Sequence, residues 1–174
     1  FSTGLESIRL AAGDLNGDGY ADIVTLSAAT RQLVILNNKG GGYFGEFNDP
    51  DASFRPTLMG TGESYFPLPA HTLALGDVTG DGRLDIVILL HAFLQDSSDP
   101  AIRRNTVLWQ LFDQRQDGTL RRNALFFASR SEPASSALTF HSDVLIRDVS
   151  GDRIPEIITT NPFEDGVKVI RLLP

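Results

Sequence analysis

The feature that most constrains this chain is an internal repeat. Three segments align with one another: AAGDLNGDGYADIVTLS from Ala11, ALGDVTGDGRLDIVILL from Ala74 and LIRDVSGDRIPEIITTN from Leu145. Counted between the first aspartates of the segments, the repeats are 63 and 71 residues apart. Self-similarity of this kind is typical of units that bury their apolar faces by stacking on one another. The sequence therefore predicts an array of similar units.

Each unit has the same order of short β-branched and aromatic runs, separated by clusters of Gly, Asn, Asp and Pro. Such runs are strand signals. We expect four antiparallel strands in units one and two, and three strands in unit three. The predicted strands are residues 10–12, 23–26, 33–36 and 43–47, then 73–75, 86–90, 107–112 and 125–128, then 144–146, 157–160 and 167–172.

Four antiparallel strands in a repeated unit are the pattern of a β-propeller blade. The predicted fold class is all-β: a single β-propeller-type array over residues 1–174, with three blade-like four-stranded antiparallel units. The units are residues 5–50, 68–130 and 138–174, and the third lacks its last strand. Three blades do not close a ring of the usual size, about 4–8 blades, and an open array exposes strand edges. We therefore expect more chain, further copies or another protein to complete it.

Composition excludes several functional classes. The chain has 22 acidic and 15 basic residues, a formal charge of −7, which argues against a nucleic-acid partner because such proteins neutralise phosphates with a basic face. It has no cysteine, which excludes disulfides, Cys-ligated metals and thiol nucleophiles. No apolar run approaches the ~18–20 residues of a membrane helix. The chain begins at Phe1 without a leader sequence, so we expect a processed or excised piece.

An acidic loop of nine residues precedes the second strand of every unit, at residues 14–22, 77–85 and 148–156 (loops one, two and three). Oxygen-bearing groups at positions 1, 3, 5, 7 and 9 can converge on one centre, and calcium takes about 6–8 such oxygens. The predicted calcium ligands are Asp14, Asn16, Asp18, the carbonyl of Tyr20 and Asp22; Asp77, Thr79, Asp81, the carbonyl of Arg83 and Asp85; and Asp148, Ser150, Asp152 and Glu156.

Loop three departs from the other two. Arg153 replaces the glycine of the turn, and Pro155 precedes the last acid. A non-glycine residue in a left-handed conformation costs roughly 1–2 kcal/mol, and Arg153 could place its own cation where the metal would lie. Metal binding is therefore in doubt for this loop alone.

A plainer interpretation is that Asp and Gly simply make turns in all three loops. Turn geometry does not account for the acid at position 9, which is Asp22, Asp85 and Glu156 in turn. An EF-hand is excluded, because position 12 is Thr25 instead of Glu and no helix pattern flanks the loop.

GDLNGDGYADIV and GDVTGDGRLDIV resemble the FG-GAP/VCBS repeats of integrin α-subunit-type β-propellers, and LVILNNKGGGYFGEF resembles the remainder of such a blade. The resemblance implies propeller blades whose loops bind calcium between strands. Members occur in adhesion receptors, secreted bacterial proteins, lectin-like modules and enzyme-associated domains, so the motif specifies the repeat and no single function.

The residues offer no catalytic constellation: there is no G-x-S-x-G turn, no phosphate-binding glycine loop, and the paired acids all belong to the calcium loops. We expect a non-enzyme: an extracellular, cell-surface or periplasmic calcium-binding module for protein or carbohydrate binding or adhesion. Two alternatives stay open. The chain is a subunit or fragment that docks into a larger assembly or homo-oligomer through its open blade edges, or it is a noncatalytic domain of a secreted enzyme.

Three further features have competing interpretations. Trp109 lies in a predicted strand and is expected in the core, with a sugar-stacking platform as the alternative. Residues 92–105 are expected to form a long loop, either solvated or in contact with a partner. A cluster of arginines in unit two is expected either to protect an edge strand or to bind an acidic partner: Arg103, Arg104, Arg115, Arg121, Arg122 and Arg130.

Overall fold

A computed structural model describes residues 7–27, 32–45, 65–95, 103–116, 119–133, 143–161 and 166–172. Over these residues the chain is all-β and forms three antiparallel sheets, each with its strands in sequence order. Its described part contains no helix of the length and apolar character that crossing a membrane requires.

The three sheets correspond to the three repeats. Sheet one contains β1 (Ser7–Gly13), β2 (Asp22–Ser27) and β3 (Gln32–Leu36). Sheet two contains β4 (Tyr65–Gly76), β5 (Asp85–Gln95), β6 (Arg103–Gln114) and β7 (Leu120–Pro133). Sheet three contains β8 (Val144–Arg147), β9 (Glu156–Asn161) and β10 (Gly166–Ile170). Each acidic loop joins the first strand of its sheet to the second.

The predicted strands form in the described part of the chain, although β4 and β7 are longer than predicted and β10 ends two residues earlier. Two further differences concern the fourth strand of unit one and a predicted loop. The fourth strand of unit one, predicted at residues 43–47, is represented by one bridge between Asn38 and Phe44, and residues 46 and 47 lie outside the described part. The prediction of a loop over residues 92–105 is wrong at residues 92–95 and 103–105, which are strand, and its middle part, residues 96–102, lies outside the described residues. β5 and β6 extend into it and stay paired as far as Gln95 with Arg103, because cross-strand hydrogen bonds continue beyond the apolar segment that signalled the strands.

Sheet two is buried on both faces. Successive side chains of a strand point to opposite faces, and Ile86, Val87, Ile88 and Leu89 are all 0% exposed. Ile86 and Ile88 pack in one cluster with sheet one, whereas Val87 and Leu89 pack in a second cluster with sheet three. Burial on both faces explains why this strand is a continuous apolar run instead of an alternating pattern.

The sheets approach closely at the end of each first strand. A methyl group built on Gly13 would lie 2.6 Å from Cδ1 of Leu84 and 3.3 Å from Cδ1 of Leu75, both in sheet two or its loop. A methyl group on Gly76 would overlap the side chain of Ile146 in sheet three. Glycine at these two positions therefore permits the stacking of one sheet on the next.

Replacing Gly76 with alanine should destabilise the fold by about 1–3 kcal/mol, because the added methyl overpacks the contact with Ile146. The measurement is the free energy of unfolding in urea. Arg147 occupies the same repeat position in sheet three and is exposed, so Arg147→Ala is the control and should change stability by less than about 0.5 kcal/mol. Equal effects of the two variants would contradict the stacking assigned to Gly76.

Candidate metal-binding loops

The first aspartate of each loop accepts hydrogen bonds from the backbone of its own loop. Asp14 accepts from the N–H groups of Gly17 at 2.8 Å and Gly19 at 2.9 Å. Asp77 accepts in the same way from Gly80 at 2.8 Å and Gly82 at 2.7 Å. In loop three, Asp148 accepts from Gly151 at 2.6 Å and Arg153 at 2.8 Å. In each loop, the carboxylate of the first aspartate thus holds the turn together by accepting hydrogen bonds from its backbone.

Left-handed backbone at positions 4 and 6 turns these N–H groups inward. Gly19 and Gly82, at position 6, have φ of 87° and 85°. Arg153 adopts φ of 75° at the same position, so the loop keeps its shape and the arginine carries the strain predicted from the sequence.

A second hydrogen bond recurs at position 5 of all three loops. The carboxylates of Asp18, Asp81 and Asp152 each accept from the N–H group two residues later, at 2.9, 2.9 and 3.0 Å. Their remaining oxygens contact different partners. Asp18 accepts from the Asn16 amide at 3.0 Å, Asp81 pairs with Arg83, and Asp152 pairs with Arg171 at 2.5 Å.

The cation that reaches loop three is therefore Arg171, which follows β10, and not Arg153 as the sequence suggested. This pairing could not be predicted, because Arg171 lies 19 positions beyond Asp152 and belongs to no loop motif.

The acid at position 9 ties each loop to the sheet. Asp22 is 0% exposed and accepts from the Leu15 N–H at 3.0 Å and from the Asn38 N–H, just past β3, at 2.8 Å. Asp85 is likewise 0% exposed and accepts from Val78 at 3.1 Å and from Gln114, at the end of β6, at 3.2 Å. Each of these carboxylates thus links the loop, the second strand and the end of the third strand.

Glu156 fills the same position in loop three and accepts from the Val149 N–H at 2.9 Å. It is one methylene longer than aspartate, and its carboxylate lies with those of Asp148 and Asp152, with one oxygen of each within 4.8 Å of the others. Across the described residues, this is the only such group of three acids. Loops one and two hold their predicted ligands in the same loop frame but do not gather their three carboxylates in this way.

Burial raises the pKa of some loop acids, whereas hydrogen bonds from backbone N–H groups lower the pKa of others. Burial raises the pKa of Asp22 and Asp85, against the opposing effect of the backbone N–H groups of Asn38 and Gln114. Backbone N–H donors lower the pKa of the three acids of loop three: Arg153 for Asp148, Ile154 for Asp152 and Val149 for Glu156. At neutral pH the three acids of loop three are therefore charged and close together.

Loops one and two lie side by side. A cleft of about 180 Å³ separates them, lined by Asp14, Asn16, Arg83, Gln114 and Arg115 among others. The cleft brings carboxylate, amide and guanidinium groups from two repeats to one end of the stacked sheets.

The other sequence candidates have simpler roles in the described part of the chain. Trp109 is 3% exposed and packs between sheets two and three, which confirms its core assignment. Arg121 lies on β7 and pairs with Asp113 of β6, with Nε to Oδ1 at 3.1 Å and Nη2 to Oδ2 at 2.5 Å. This pair agrees with a charged edge strand. The side chains of the remaining arginines of the cluster, except the exposed Arg115, lie outside the described part.

Replacing Arg153 with glycine should stabilise the protein by about 1 kcal/mol, because glycine adopts a positive φ without steric strain. The measurement is urea unfolding in a chelator. Arg147→Gly removes an arginine from an ordinary strand position and should instead destabilise by about 0.5–1 kcal/mol. A loss of stability in Arg153→Gly would show that its side chain contributes more than the strained backbone costs.

The buried carboxyl of Asp22 should make metal-free stability depend on pH. Its folded pKa is raised above the ordinary value of 3.8, so its contribution is complete below that value and is lost as pH rises through the folded pKa. The stability advantage of the wild type over Asp22→Asn should therefore shrink as the pH rises above the ordinary value of 3.8, measured by urea unfolding in chelator.

Asp18→Asn is the control, because it removes one charge from the same loop while keeping the buried carboxyl. The pH-dependent step should persist in this variant. An advantage of the wild type over Asp22→Asn that grows with pH would contradict the assignment.

Comparison with known proteins supports the repeat. The family model for the FG-GAP-like repeat matches residues 14–88, which run from loop one through β2, β3, β4 and loop two into β5. No curated protein and no solved structure matches the chain significantly. The resemblance found in the sequence is thus confirmed for two of the three acidic loops, and residues 14–88 are an FG-GAP-like repeat.

Proposed function

We propose that this chain is a calcium-binding, noncatalytic module of propeller blades that serves protein or carbohydrate binding outside the cytosol. The observation that carries the proposal is the threefold repetition of one loop frame, whose acids converge in loop three. FG-GAP-like repeats imply propeller blades; the described part of this chain holds three stacked sheets and no closed ring.

The donor set of loop three fits calcium. Asp148, Asp152 and Glu156 offer carboxylate oxygens within 4.8 Å of one another, and oxygen ligands are those that hard cations prefer. Bound calcium would supply the positive charge that offsets the repulsion among these acids and would thereby stabilise the fold by linkage. Arg171 now partly fills that role by pairing with Asp152.

The same chemistry supports the proposed location. Extracellular calcium modules work at roughly 10⁻⁴–10⁻³ M calcium, which the resting cytosol does not supply. Binding of a protein or glycan would use the end of the array where loops one and two flank their cleft, because it presents charged and amide groups from two repeats.

Docking into a larger assembly is the second candidate function, and a separate observation favours it. The face of sheet three that points away from sheet two exposes large apolar side chains: Leu145 at 54%, Val167 at 63% and Val169 at 57%. Exposed β-branched residues on a flat sheet face mark an interaction surface.

Adding calcium to the chelated protein should raise its melting temperature, by an amount equivalent to about 2.7 kcal/mol when calcium is 100 times Kd. Glu156→Gln should reduce that rise, since the amide still accepts the Val149 N–H but carries no charge. Differential scanning fluorimetry with and without calcium makes the measurement.

Asp143→Asn applies the same chemical change to an acid outside the loops and should preserve the calcium response of the wild type. The proposal fails if calcium leaves the wild-type melting temperature unchanged, or if the two variants respond alike.

A further inference from the structure

The end of β10 is joined to loop three by an ion pair. Arg171 directly follows β10, and its Nη2 lies 2.5 Å from Oδ2 of Asp152. The two side chains are 38% and 37% exposed, so the pair is partly shielded from water. The other oxygen of the Asp152 carboxylate accepts from the Ile154 N–H at 3.0 Å. Both oxygens of this carboxylate therefore already have a donor.

In sheets one and two, the backbone makes the corresponding connection between loop and third strand. The Asn38 N–H donates to Asp22, and the Gln114 N–H donates to Asp85. In each sheet the donor lies two residues beyond the last residue of the third strand that pairs with the second strand. The acid at position 9 is therefore held by the same backbone group in both sheets.

Sheet three has no such backbone bond among its described residues. The residue in the donor position is Leu172, two places beyond the last paired residue of β10. Glu156 accepts instead from the Val149 N–H at 2.9 Å, and its carboxylate lies with those of Asp148 and Asp152. In this sheet the Arg171 side chain takes over as the link between the loop and the end of the third strand.

The position of Arg171 carries a basic residue only in sheet three. The equivalent residues are Asn37 in sheet one and Asp113 in sheet two. Loop two has a cation on its position 5 acid as well, Arg83, but this residue belongs to the loop itself and its Nε donates to the Gln114 carbonyl. Within the described strands, a cation that reaches a loop acid from the end of the third strand is specific to sheet three.

A cation bound by loop three would share a carboxylate with Arg171. The acids of the loop lie within 4.8 Å of one another, and Asp152 is one of them. Calcium binds carboxylate oxygens at about 2.3–2.6 Å, so an ion held by Asp152 would lie close to the guanidinium paired with the same group. Like charges at such short range repel, and partial burial limits the screening by salt.

From this geometry we propose that Arg171 sets the calcium affinity of loop three: its ion pair with Asp152 weakens calcium binding, and bound calcium weakens the ion pair. Linkage makes the two effects equal. Calcium in loop three would then loosen the link between this loop and the end of β10, whereas loops one and two keep their backbone links. The inference rests on the calcium binding proposed above and adds the residue that regulates it.

Isothermal titration of the chelated protein with calcium tests the first effect. Arg171→Gln removes the charge and should bind calcium at one site about three- to tenfold more tightly than the wild type, because calcium carries two charges and partly exposed ion pairs are of moderate strength. Arg171→Lys keeps the positive charge and should stay close to the wild type. Adding Glu156→Gln to Arg171→Gln removes an acid of loop three and should abolish the gain.

Urea unfolding tests the reciprocal effect. In chelator, Arg171→Gln should be less stable than the wild type, because the acids of loop three lose their counter-charge. In saturating calcium, the ratio of the two unfolding constants should shrink by the factor found in the titration. Circular dichroism checks that each variant is folded.

The outcomes separate this inference from the calcium proposal. If the wild type binds calcium and folded Arg171→Gln binds it equally or more weakly, the inference is overturned and the calcium proposal stands. A gain that persists when Glu156→Gln is added would place the effect outside loop three and overturn the inference as well. Absence of calcium binding in both the wild type and Arg171→Gln would overturn the two proposals together.

Discussion

Hydrogen bonds from loop carboxylates to backbone N–H groups are the interaction on which the rest of this structure depends. Each loop must reverse the chain within nine residues between two strands, and its inward-pointing N–H groups need acceptors. The acids at positions 1 and 5 supply them inside the loop. The acid at position 9 extends the connection to the end of the third strand, through Asn38 for Asp22 and Gln114 for Asp85. A loop that looks like a surface feature thus fixes the relative position of three strands.

This arrangement has an electrostatic cost. Asp22 and Asp85 are buried as carboxyls whose pKa values burial raises, and loop three collects three acids in one small volume. Asn16, Arg83 and Arg171 each contact the acid at position 5 of a loop and offset part of the cost. A bound divalent cation would offset more of it, which connects the folding role of the loops with their proposed calcium chemistry.

Much of the fold could be predicted from the sequence because the repeat and the runs of β-branched residues are local signals. The sheets of unit two and unit three follow from them directly. The length of β5 and β6 could not be predicted, because cross-strand pairing sustains them beyond the apolar residues.

For the site, spacing located all the loop acids, whereas their grouping depends on side-chain length at position 9 and on contacts from distant residues such as Arg171. In the sequence, Gly13 and Gly76 look like ordinary glycines of the loop motif. Their packing role could not be predicted, because it depends on side chains of the next sheet.

Native mass spectrometry of the chain in calcium tests the central claim most directly, since it counts the ions bound to each chain. The account predicts at least one calcium ion for every chain, lost on chelation. Chains that carry no calcium at millimolar concentrations would contradict the claim that the repeated acidic loops are cation sites.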